Sequence, residues 1–220
     1  MVITLHPDSK DERNSKTEER RNQILDAATV CLARKGYYET KMDDIVAESG
    51  LSKGTLYLYF KSKKEIFVAL SECFTETLNA RIEANLEGKT TLIERMRAMA
   101  DGYVQTTSST ATDASGNAVN ISRLTAEFWQ QAVVDPEIRA RFIEAYRFYT
   151  KMGEDLIKAA VASGEFREVD IPTLMLVVMA AFDGLTWRWL LTPEEVDWPH
   201  AIDLLFEVLL NGVRAIPNSG

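Results

Sequence analysis

The segment from Thr40 to Glu65, TKMDDIVAESGLSKGTLYLYFKSKKE, constrains the fold more than any other stretch, because it breaks into short helical runs separated by brief turn signals. Thr40 occupies an N-cap position. Asp43 and Asp44 stand in a first turn where the helix dipole favours negative charge, and Met42, Ile45 and Val46 make one apolar side. These residues predict a short helix near 41–48. Ser49-Gly50 then supplies a residue free to take positive φ, Leu51 plugs the angle between two helices, and Ser52 caps a second helix over about 53–59. Two short helices joined through a glycine turn form the arrangement whose second member enters the DNA major groove.

That second helix, Lys53 to Tyr59, has a composition that burial alone does not explain. Leu56 and Phe60 are its inward residues. Gly54 costs a helix about 1 kcal/mol against alanine, and close approach of backbone to a phosphate or groove wall would offset the cost. Lys53 has the reach for guanine O6 and N7, the Thr55 methyl suits a thymine methyl, and Tyr57 and Tyr59 bring hydroxyls for phosphates. Ser62-Lys63-Lys64-Glu65 is a capping box whose helix opens with lysines beside free N–H groups, a well for anions. The candidate DNA contacts are therefore Thr40, Lys41, Asp43, Ser52, Lys53, Gly54, Thr55, Tyr57, Tyr59, Lys63 and Lys64.

The runs Gly36 to Thr40, Asp44 to Ala47, Ser49 to Tyr57 and Tyr59 to Glu65 resemble the TetR family of bacterial transcriptional regulators nearly position for position, over about residues 17–70. A looser likeness continues through EFWQQAVVDPEIRARF, Glu127 to Phe142. The resemblance implies an all-α homodimeric repressor. It would have a flexible arm over 1–16, a three-helix helix-turn-helix DNA-binding domain over 17–65, and a helical effector-binding and dimerisation domain over 66–220. Its implied partners are a palindromic double-stranded DNA operator, a small-molecule effector and a second copy of the chain.

Charge is divided in the sense such a chain needs. Net charge is −8 over 220 residues, yet residues 1–65 hold 12 Lys and Arg against 11 Asp and Glu, while the remainder holds 13 against 22. A head so weakly basic must recognise DNA by placed contacts rather than bulk attraction. Cys31 and Cys73 both fall on apolar helical faces and read as buried free thiols. His6 and His200 are isolated, so no metal site is expected. No basic region followed by an apolar run opens the chain, which is read as cytoplasmic. Residues 1–16 carry balanced charge and are read as a solvated arm.

Downstream the periodicity is helical throughout, without strand alternation or a phosphate-binding glycine loop. A first supporting helix starts at Thr17 and stops at Gly36, and a long helix over 63–87 links head to second domain. Others cover 91–104, 119–133, Pro136 to about Gly164, 171–191 and 195–213, the last opened by Thr192-Pro193-Glu194-Glu195 as a capping box. Thr106 to Asn120, rich in Ser, Thr, Ala and Gly, is expected to be a long flexible loop. Ile171 to Leu191 approaches membrane-spanning length, but Pro172, Asp183, Gly184 and Arg188 argue for a helix covered by its own domain and by a second subunit.

Within the second domain, Tyr103, Phe128, Trp129, Tyr149, Met152, Met179, Phe182 and Trp187 are candidate walls of an apolar cavity, with Met lending adaptability. Arg123, Glu127, Asp155 and Asp183 are its candidate polar groups, since each lies in or beside an apolar stretch. Three acids to one base favour an apolar effector that is neutral or cationic. Trp189, Leu205 and Leu209 are candidates for the dimer interface. No catalytic nucleophile with its base is recognisable and no cofactor is expected. Two alternatives remain: a ligand-independent DNA-binding or accessory regulator whose second domain is filled by side chains, and, more remotely, an all-helical enzyme.

Overall fold

The computed structural model describes residues 12–214, with side chains from Lys16 onward. Within that range the chain is all-α apart from one small hairpin: α1 (Glu12–Lys35), α2 (Met42–Ser49), α3 (Lys53–Tyr59), α4 (Lys63–Leu86), α5 (Leu92–Thr107), β1 (Thr110–Thr112), β2 (Ala118–Asn120), α6 (Ser122–Val134), α7 (Pro136–Ala162), α8 (Ile171–Leu191) and α9 (Trp198–Asn211). Helix α1 begins earlier than the sequence suggests, taking in part of the expected arm; the rest of that arm lies outside the described residues.

Two compact units emerge. The first comprises the chain through Arg81 together with Gly102–Ile143, and the second comprises Ile82–Asp101 and Glu144 onward. The division passes within α4, α5 and α7 rather than between Glu65 and Ile66.

In the first unit, α1 buries Ile24, Leu25, Ala28 and Leu32, and Ile45 of α2, Leu56 of α3 and Ile66, Phe67 and Leu70 of α4 are buried as well. Gly36 ends α1 with φ 81° and Gly50 ends α2 with φ 67°, the left-handed conformation glycine takes without penalty. Helix α3 begins where predicted: the Ser52 hydroxyl accepts the Thr55 N–H at 3.1 Å. Thr40, by contrast, does not cap α2. It is buried, and its hydroxyl donates to the carbonyls of Gly36 (2.7 Å) and Cys31 (3.2 Å), satisfying acceptors at the end of α1. Lys41 takes the N-cap place, its N–H donating to the Asp44 carboxylate at 2.7 Å. At α4 the Ser62 hydroxyl accepts the Glu65 N–H as expected, while Glu65 reaches back to the Lys61 N–H instead of that of Ser62.

The expected loop over 106–120 is ordered. Thr106, Thr107 and Ser109 are buried, with hydroxyls donating to carbonyls of α5, and β1 pairs antiparallel with β2 in the register Thr110–Asn120, Ala111–Val119, Thr112–Ala118. The turn is held by Asp113, whose carboxylate accepts the N–H groups of Ser115 (2.9 Å) and Asn117 (2.7 Å) and pairs with Arg34 of α1. Short polar side chains here bond the backbone rather than loosening it.

In the second unit, Asp170 caps α8 by accepting the Thr173 N–H at 3.4 Å. Thr192–Glu195 does not open α9; it forms a single 3-10 turn, and Asp197 is the cap, accepting the His200 N–H at 3.3 Å. Core residues include Met96, Ile157, Met175, Val178, Trp198, Ile202, Phe206 and Leu210. A Cβ on Gly153 of α7 would lie 2.5 Å from the methyl of Met175 on α8, whose flexible side chain would have to shift. Cys31 and Cys73 are both buried and neither forms a disulfide, and burial pushes the Cys31 thiol up to about 11.

Candidate nucleic-acid interface and effector site

The exposed surface of α3 is formed by Lys53, Gly54, Tyr57 and Leu58, with Thr55 and Tyr59 half-exposed and Leu56 and Phe60 turned inward. A Cβ at Gly54 would meet nothing closer than the Ser52 hydroxyl at 3.8 Å, so no neighbour within the chain requires glycine there. Lys53 pairs with Asp43 of α2 at 2.7 Å. Both side chains are well exposed, and such a pair opens readily when a better partner arrives. The Asp43 carboxylate raises the Lys53 ammonium, keeping it charged. Lys41 is exposed, while Thr40 offers DNA no side-chain atom.

Two lysines expected at phosphates are engaged elsewhere. The Lys63 ammonium sits 4.4 Å from the Tyr37 ring centroid and donates to the carbonyls of Tyr37 and Thr40, the latter at 2.7 Å. Burial pulls its pKa down. It closes the α1–α2 turn. Lys64 bridges the start of α7, lying 2.8 Å from Asp135 and 2.8 Å from Glu137, and hydrogen bonds to those carboxylates hold its ammonium well above the ordinary lysine value. Neither geometry is visible in sequence, because the partners are as many as 73 residues away.

The twelve effector candidates divide between the units. Tyr103, Arg123, Glu127, Phe128 and Trp129 belong to the first. Arg123 donates to the carbonyls of Arg34 (2.9 Å) and Lys35 (3.3 Å), placing its charge at the negative end of α1. Glu127 is buried, accepts the Tyr37 N–H at 3.0 Å and lies 3.5 Å from Arg123. Gly36 passes so close that a Cβ would be 2.5 Å from Glu127 and 2.7 Å from Arg123. These two therefore bolt α6 to the head and are not free to meet a ligand. Phe128 is core, its ring 5.1 Å from Phe67 and 5.4 Å from Phe74. Trp129 packs edge-on against Phe142 at 4.9 Å, and Tyr103 is half-buried.

Tyr149, Met152, Asp155, Met179, Phe182, Asp183 and Trp187 belong to the second unit. Asp155 is exposed beside Lys151 (2.5 Å) and Lys158 (3.6 Å), a solvated i,i+4 arrangement that corrects its placing in an apolar site. Met152, Met179 and Phe182 are half-buried, and burial pushes the Tyr149 hydroxyl well up. Asp183 accepts the Tyr146 hydroxyl, and burial raises its carboxyl to about 6 against the pull of that hydrogen bond. Tyr146 was not among the sequence candidates; its position at i−3 from Tyr149 was the available signal.

The expected dimer residues Trp189, Leu205 and Leu209 are half-buried, and Trp189 stands 6.1 Å from the Trp198 ring. The outward apolar surface is instead Leu176 (68% exposed), Val177, Trp187 and Leu191 on α8, with Leu204 and Val208 on α9. Helix α8 is the one described helix long and apolar enough to cross a membrane.

Residues 24–70 match a profile described as bacterial regulatory proteins of the tetR family, and residues 92–211 match the C-terminal region of BetI-type transcriptional repressors. The fatty acid metabolism regulator protein of Bacillus subtilis (strain 168) is 24% identical over 193 residues, 87% of this chain and 94% of that protein. Two solved structures share the fold. One is a putative transcriptional regulator from Saccharomonospora viridis in complex with choline (TM-score 0.74, 23% identity, 90% of this chain and 100% of that one). The other is FadR from Bacillus subtilis in complex with stearoyl-CoA (TM-score 0.68, 23% identity, 87% and 98%).

Proposed function

This chain belongs to the TetR family of bacterial transcriptional regulators and is a DNA-binding regulator; we propose that it is a homodimeric repressor, released from a palindromic operator by a small apolar effector that is neutral or cationic. The observation that carries the reading is α3: a capped helix whose Lys53, Gly54 and Tyr57 face solvent while Leu56 anchors it. Relatives of the same fold are held with choline and with stearoyl-CoA, which supports a small-molecule effector without naming it.

The apolar faces of α8 and α9 supply the contact between copies, pairing Leu176, Trp187 and Leu191 with their symmetry mates. Two α3 helices are then offered to successive major grooves. Helix α4 is continuous through both units, so it is the covalent route by which an effector changes the separation of the heads. An effector acts only through its preference between two arrangements, and a 10⁴-fold preference corresponds to about 5.5 kcal/mol.

The test is operator selection from random duplexes followed by fluorescence anisotropy. A palindromic site bound by a particle of twice the chain mass is the expected result. Lys53→Ala should weaken the selected site by about 1–3 kcal/mol while leaving random DNA nearly unchanged. A monomer in light scattering, or a Lys53→Ala protein with undiminished specificity, overturns the reading.

A further inference from the structure

The β1–β2 hairpin does more than join α5 to α6, because its turn reaches both helices that precede α3. The Arg34 guanidinium of α1 pairs with Asp113 at the start of the turn and lies 3.8 Å from Glu48 of α2. Glu48 in turn accepts the Ala114 N–H at 2.6 Å. These contacts close a ring from α1 to the hairpin, from the hairpin to α2, and from α2 back to α1. Asp113 is buried within it, and the Asn117 N–H and the Arg34 guanidinium hold its carboxyl well below the usual carboxylate range, so it stays charged.

The ring touches the reading head where a small shift has leverage. Glu48 stands two residues before Gly50, the left-handed residue at which the chain turns toward α3, and its neighbour Ser49 accepts the Gln23 amide of α1 at 2.7 Å. A displacement of Glu48 therefore moves the base from which α3 departs. At the other end of the hairpin, the Ser109 hydroxyl accepts from Arg81 of α4 at 3.1 Å and donates to the Gln105 carbonyl of α5. Helix α5, like α4, runs through both units, so the hairpin continues a second helix that enters the first unit from the other.

We propose that Glu48 and Asp113 are positioning residues for operator recognition, through which the hairpin sets the angle of α2 and α3 and couples the last turn of α5 to the reading helix. The proposal rests on the reading of the chain as an operator-binding regulator. Neither acid meets DNA; both act through α3.

The sign of one effect decides the matter. Glu48→Ala removes a negative charge from the head, which by bulk attraction strengthens DNA binding, whereas loss of positioning weakens it. Anisotropy is read on the selected operator and on a random duplex, at a temperature where circular dichroism shows every variant fully helical. Glu48→Ala is expected to lose about tenfold in operator affinity and nothing on random DNA. Glu48→Gln makes the same change of charge but keeps an acceptor for the Ala114 N–H, and recovers most of the loss. Asp113→Ala loses as much as Glu48→Ala, and the double variant loses no more than either, as members of one ring should. Coupling is reciprocal, so operator binding slows hydrogen exchange over residues 106–117 of the full-length parent, a stretch without Lys or Arg to bring it to DNA itself, and random DNA does not. That measurement needs no variant to fold. A Glu48→Ala protein that binds operator as tightly as the parent or more tightly, a Glu48→Gln protein that recovers nothing, or exchange over 106–117 unchanged by operator overturns the proposal and leaves the regulator reading intact. A parent that selects no operator overturns both.

Discussion

Glu127 and Asp183 look alike in the amino-acid sequence, each a single acid in a helix otherwise rich in large apolar residues, yet the fold treats them in opposite ways. Glu127 has a backbone N–H, an arginine and a glycine fitted around it, and these bind α6 to the end of α1. Asp183 has one tyrosine hydroxyl and a carboxyl raised by burial. The lesson is that a charge in an apolar stretch signals function only when its neighbours leave it unsatisfied. A satisfied one is part of the frame.

The contrast can be broken at several points. Gly36→Ala carries the largest expected effect, because its Cβ enters the space of Glu127 and Arg123 and its φ is 81°. A loss of about 3 kcal/mol in chemical denaturation is expected; a neutral result would mean that α6 is not fitted to the head. Glu127→Ala should cost about 2 kcal/mol by orphaning the Tyr37 N–H and releasing Arg123. Lys63→Ala leaves the Tyr37 and Thr40 carbonyls without their cation and should cost about 1.5 kcal/mol in the same measurement. A lysine that served only phosphates would lower DNA affinity and leave the melting temperature alone.

Asp183→Asn should move stability in the other direction. The carboxyl titrates near 6 in the folded chain against 3.8 in the unfolded one, so its contribution is full below about pH 4 and lost as pH rises through 6. The asparagine variant is spared that loss. Its unfolding free energy relative to the parent should rise between pH 4 and pH 7, by an amount on the order of 1 kcal/mol once solvent screening is allowed. A flat difference would show that Asp183 is paired in solution, and would remove the contrast with Glu127.

Much of the head was legible residue by residue. Ser52, Gly50 and the 53–59 helix stand where local rules put them, because capping and left-handed turns depend on neighbours within four residues. Asp135-Pro136 and Asp170-Pro172 mark helix starts for the same reason. The hairpin over 110–120 was also within reach, since Asp113 and Gly116-Asn117 between Thr- and Val-bearing runs are a turn signal that the Ser and Thr content obscured. The roles of Arg123, Glu127, Lys63 and Lys64 were not legible, because each also has a partner 23 to 90 residues away.

By itself, then, the sequence determined the order of helices, the starts of α3, α7 and α8 and the exposed face of α3, all set by interactions inside one or two turns of chain. The tertiary structure alone decided which charges are spent. Periodicity places a side chain on a face but says nothing of what stands opposite, and at Lys63, Glu127 and Asp183 the opposite group decides whether a charge is held by several partners or by a single hydroxyl.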